Sequence, residues 1–67
     1  MRADRVEVSW DAEQSKWLIR VESGEEVIRR HYDAPKTADE EALFAAAQQT
    51  LQDEGYETEG ANIRIVR

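Results

Sequence analysis

The sequence predicts an α+β fold: a small two-layer βββαβ domain, with an antiparallel three-strand meander, one helix on one face and a final parallel strand. Three observations predict it. Apolar residues alternate with period two from Val6 to Trp10 and from Trp17 to Val21; a capping-box spacing precedes apolar residues four apart; and a short alternating segment closes the chain. With 67 residues and no linker, internal repeat or low-complexity stretch, residues 1–67 are expected to form a single domain.

Val6, Val8 and Trp10 alternate with Glu7 and Ser9, as a half-buried strand requires. Trp17, Ile19 and Val21 do the same against Leu18, Arg20 and Glu22. Pairing Trp10 with Trp17 leaves a four-residue loop closed by an Asp11–Lys16 charge pair, and sets Val8 opposite Ile19 and Val6 opposite Val21. In Ser23-Gly24-Glu25-Glu26, Gly24 takes the first central position of a two-residue loop, where a type II′ turn needs positive φ. That register sets Val21 against Ile28 and Trp17 against Tyr32 on one side. Glu22–Val27, Arg20–Arg29 and Leu18–His31 lie on the other, and Arg30 is a charged residue on the inner face.

Pro35 ends the third strand. Thr37 as N-cap and Glu40 three residues on have the spacing of a capping box, so a helix is expected to begin at Thr37. Leu43, Ala47 and Leu51, joined by Phe44, Ala46 and Thr50, form its sheet-facing stripe, while Glu40, Glu41, Gln48, Gln49 and Gln52 face water. Gly55 suits the left-handed residue after a helix, with Tyr56 closing on Leu51. Residues 61–67 form the last strand, with Ile63 and Ile65 inward and Arg64 and Val66 outward. It is expected beside the first strand, because the longer crossover lets the helix cover more sheet; such a crossover is right-handed.

Composition removes several functions. No Cys is present, which excludes a disulfide scaffold, a cysteine-ligated zinc module and a cysteine nucleophile. A chain this short buries roughly 60% of its unfolded surface and gains about 3–5 kcal/mol of stability, leaving little room for a ligand cleft of about 300 Å³. The chain is therefore expected not to be an enzyme. No cofactor is expected. There is no apolar membrane span, secretory signal or lipidation box, so a cytoplasmic protein with no membrane partner is expected.

Nine basic side chains against fifteen acidic ones give a net charge of −6. Residues 38–59 carry seven carboxylates and no Lys or Arg. Asp39, Glu40 and Glu41 complement the helix dipole, and neither they nor Glu54, Glu57 and Glu59 have calcium-loop spacing. A lone His31 does not make a zinc site, so no metal is expected. His31 with Asp33 two residues on suggests a general base, but no nucleophile or oxyanion donor accompanies the pair; the plain reading is an exposed strand histidine. Gly24, Gly55 and Gly60 are isolated turn residues rather than a phosphate loop. Trp10 and Trp17 share the parity of the core residues and are read as core aromatics rather than a stacking platform.

The candidate site is the sheet face turned away from the helix, carrying Leu18, Arg20, Val27, Arg29, His31, Arg64 and Val66, with Glu7 beside Arg20. Arginines mixed with aliphatics characterise binding interfaces. The plain alternative is a self-contained Glu7–Arg20–Arg29 row. A small protein-interaction module that uses the open sheet face, or an exposed sheet edge, to pair with itself or another protein is the function expected, with Leu18, Val27 and Val66 as the apolar centre of the face. The second reading is nucleic-acid binding. Over residues 4–54 the layout of a three-strand meander backed by one helix resembles the plant AP2-type and integrase-arm DNA-binding domains; by that resemblance the sheet enters the major groove and Arg20, Arg29 and Arg64 supply the contacts. The resemblance carries no motif, and the net negative charge opposes it.

Overall fold

The computed structural model describes residues 3–58 and 62–66. Strands β1 (Arg5–Asp11), β2 (Lys16–Ser23) and β3 (Glu26–Tyr32) precede helix α1 (Glu40–Asp53) and strand β4 (Ile63–Val66). They form one four-stranded sheet in the order β3-β2-β1-β4, with β4 parallel to β1 and the other neighbours antiparallel. The last strand therefore lies beside the first. Residue 61, expected at its start, and residue 67 lie outside the described residues, as does Gly60.

Both hairpins have the registers that the apolar pattern demands. Trp10 faces Trp17, Val8 faces Ile19, Val21 faces Ile28 and Trp17 faces Tyr32. Gly24 has φ +60°, as the first central residue of a type II′ turn requires. Asp4 holds this turn from outside: its backbone N–H donates to the Glu22 carbonyl at 2.7 Å, and its Oδ2 accepts from the Gly24 N–H at 2.6 Å. The β1–β2 loop instead places Ser15, a non-glycine residue, at φ +54°.

Val6, Val8, Trp17, Ile19 and Val21 from the sheet are buried against Leu43, Ala47 and Leu51 of α1, with Ala3 and Tyr56 completing the core. Trp17 lies edge-on to Trp10 with ring centroids 5.4 Å apart, and its Nε1 donates to the Pro35 carbonyl at 2.9 Å. The one buried polar side chain among the described residues, Thr50, donates its hydroxyl to the Ala46 carbonyl one turn back at 2.9 Å.

Two helix expectations need correction. The N-cap is Asp39, with extended φ −68° and ψ 150°, not Thr37, and no side-chain cap bond forms. The Ala38 N–H donates to the Pro35 carbonyl at 3.0 Å, so Thr37 is held inside a tight turn and the helix starts after it. Phe44 is 41% exposed rather than part of the sheet-facing stripe. One residue beyond Leu43 is a rotation of about 100°, which carries Phe44 off the stripe to its flank. The other end is as expected. Gly55 has φ +83°, its N–H donates to Gln52 and that of Tyr56 to Leu51, the bond pattern of a Schellman motif.

Candidate functional site

α1 packs over β4, β1 and β2, so the opposite face of the sheet is open and β3 is poorly covered even on the helix side. Strand alternation places Leu18, Arg20, Val27, Arg29, His31, Arg64 and Val66 together on that open face, as expected. The register orders them in rows across the strands. Arg29, Arg20, Glu7 and Arg64 form one row spanning all four strands; His31, Leu18, Ser9 and Val66 form the next. Val27 stands opposite Glu22, on the far side of the arginine row from Leu18 and Val66. The aliphatics are thus separated by charge instead of forming one apolar centre, although Val27 and Val66 are each 40% exposed.

The ion pairs differ from those the register suggests. Arg20 points its guanidinium to Glu22, Nη2 to Oε1 at 3.6 Å, rather than to Glu7, and Glu22 also takes Arg5 Nε at 3.2 Å. Glu22 lies two residues along the same strand, on the same face, so the side chains converge without crossing to a neighbour. Arg20 Nε is buried with no hydrogen-bond partner among the described residues. Arg29, Arg64 and Glu7 make no ion pair within 4 Å among those residues. On the strands, the open face carries five cations, Arg5, Lys16, Arg20, Arg29 and Arg64, over three carboxylates, Glu7, Asp11 and Glu22. In a chain of net charge −6 this face has an excess of positive charge, and the rest is correspondingly more acidic.

His31 meets Asp11, not Asp33: its Nε2 lies 3.1 Å from Asp11 Oδ2 across β2. The other Asp11 oxygen accepts the backbone N–H groups of Glu13 and Gln14 at 3.1 and 3.3 Å, so Asp11 organises the loop instead of pairing with Lys16. The His31 hydrogen bond is the main cause holding the Asp11 carboxyl below its ordinary 3.8; the Gln14 and Glu13 amides and the His31 charge add to it, while partial desolvation opposes. A carboxyl depressed in the folded state contributes stability above its unfolded pKa and loses it as pH falls through the lower folded value. Asp11→Asn is therefore expected to lower the melting temperature at pH 7, with the deficit closing below pH 3.8. A deficit unchanged across an acid titration would remove the charge from this account.

On the helix side, Arg30 reaches across to α1 and pairs with Glu54, Nη1 to Oε2 at 2.6 Å. The last turn of α1 has no basic residue of its own, so β3 supplies the cation that complements the helix C-terminus. Between β3 and α1 lies a groove of about 190 Å³, lined by Ile19, Arg30, His31, Tyr32, Ala46, Gln49, Thr50 and Asp53. Sequence reasoning missed it, because it arises from where the helix sits across the sheet. Among the described residues no three His or carboxylate groups gather to hold a metal, and no helix is long and apolar enough to cross a membrane.

Comparison with known proteins finds no family model that matches the chain, and neither a curated protein nor a solved structure that is similar to it.

Proposed function

We infer that this chain is a protein-interaction module that receives an acidic protein surface on the open face of its sheet. The observation that carries the reading is the row Arg29–Arg20–Glu7–Arg64, in which Arg29 and Arg64 have no ion pair among the described residues although the chain as a whole is acidic. Two copies placed face to face would each bring five cations over three carboxylates, a net repulsion that favours a carboxylate-bearing partner over self-pairing. Glu7, Asp11 and Glu22 interrupt the positive surface, and the helix side is acidic; both features oppose a nucleic-acid backbone, whose binding draws on uninterrupted cations.

The test is charge reversal on the face. Arg29→Glu with Arg64→Glu, both exposed, leaves the core untouched, so a wild-type melting temperature is expected. Affinity capture with the double variant should lose proteins that the wild-type chain retains, and sedimentation should give a monomer for both. Retention of the same proteins by both chains would sink the reading. Concentration-dependent dimers would transfer the face to a second copy, and nucleic acid released steeply by salt would favour the second class.

A further inference from the structure

β3 is the least covered strand of the sheet, with only Ile28 and Tyr32 half-buried, and it carries Arg29, Arg30 and His31 in succession, Arg30 paired with Glu54 and Arg29 without an ion pair among the described residues. We propose that the open edge of β3, together with the groove between β3 and α1, takes an extended acidic segment of a partner protein as a fifth strand. The proposal rests on the reading above and names how such a partner is held.

The phase of the β2–β3 ladder carries the argument. A two-residue turn at Gly24-Glu25 makes Ser23 and Glu26 a hydrogen-bonded pair, and in an antiparallel ladder such pairs alternate. Val21–Ile28, Ile19–Arg30 and Trp17–Tyr32 are therefore also hydrogen-bonded pairs. The backbone N–H and C=O groups of Val27, Arg29 and His31 consequently turn to the free edge. These are three donor–acceptor sets in a row, the template that strand addition uses. β4, the other edge, is only four residues long.

Side-chain chemistry then selects the occupant. Residues of an added strand alternate between the open face, beside Val27, Arg29 and His31, and the helix side, beside Ile28, Arg30 and Tyr32. On the open face Arg29 has no ion pair among the described residues, so a carboxylate is the complementary neighbour. On the helix side, Ile19, Tyr32, Ala46 and Thr50 line the 190 Å³ groove and suit a small apolar side chain. A second copy does not satisfy these demands. Two β3 strands paired antiparallel about their centres would set Arg29 against Arg29, and like charges directly opposite are unfavourable. The charges that guard this edge against itself thus select an acidic strand.

Selection of binders from a display library of random linear peptides tests the proposal. Sequences alternating acidic and apolar residues should be enriched. A synthetic peptide of that sequence should slow hydrogen exchange at the Val27, Arg29 and His31 amides. Arg29→Glu should weaken its binding about tenfold or more, and so should Ala46→Trp, which fills the groove from the helix; unchanged melting temperatures would show that both variants fold. Enrichment of basic sequences, no enrichment, or binding unaffected by both variants would overturn the proposal. Peptide shifts confined to Leu18 and Arg64 would overturn the strand addition while leaving the open-face reading standing.

Discussion

Trp17→Ala is expected to leave the chain unfolded at 25 °C. Trp17 is the largest fully buried side chain; it anchors β2 between Trp10 on β1 and Tyr32 on β3, and ties the segment after β3 to the sheet through the Pro35 carbonyl. Removing a buried tryptophan costs about 3–5 kcal/mol, and a domain of this size commonly has no more than about 3–5 kcal/mol in total. Trp17→Phe separates packing from hydrogen bonding, since it keeps an aromatic ring but removes one of the two donors to the Pro35 carbonyl, which retains the Ala38 N–H, at an expected loss of about 0.5–1.5 kcal/mol. Circular dichroism against temperature checks both. An alanine variant that melts cooperatively within a few degrees of the parent would show that the Trp10–Trp17–Tyr32 row is not the anchor.

Gly55 is expected to respond in opposite directions to the two hands of alanine. Its φ of +83° sits in the left-handed region, and a Cβ added there would meet nothing within 4 Å, so the cost of substitution is in the backbone alone. L-alanine should lose about 1–2 kcal/mol. D-alanine, introduced by peptide synthesis, adopts that φ without strain and restricts the unfolded chain, so it should gain about 0.4–1 kcal/mol. For a domain of this length each kcal/mol moves the melting temperature by about 4–8 °C, which thermal unfolding resolves. If both hands destabilised equally, the Schellman ending would not be what stops the helix.

The strand registers were legible because two signals agreed. Gly24 fixed one hairpin by its conformation, and the matched apolar pairs Val8–Ile19 and Val21–Ile28 fixed the face, since a one-residue slip would bury Arg29 and His31. The membership of the open face followed directly from that parity. Its ion pairs did not. Register names the residue opposite, but Arg20 and Asp11 chose partners two residues along or two strands away, a choice made by long side chains after the backbone is set. The start of α1 was misplaced because the Thr37 and Glu40 spacing competes with a turn after Pro35 that has its own hydrogen bond. The groove beside β3 had no sequence signal, since helix periodicity gives the buried stripe without saying over which strands it lies.

The parallel pairing of β1 with β4 bears on the order of assembly. β2 zips onto β1, and β3 onto β2, through short turns that close only short loops, which costs little chain entropy and happens quickly. β1 is nonetheless an interior strand, and its second neighbour comes from the far end of the sequence, where Ile63 meets Val6 and Ile65 meets Val8. During vectorial synthesis β1 is made before β4 and waits for it, with one flank of its backbone unpaired while α1 forms. Docking of β4 is then the late, long-range step that commits the chain, and an emerging polypeptide stalled before it would present a β1 template to any passing extended segment.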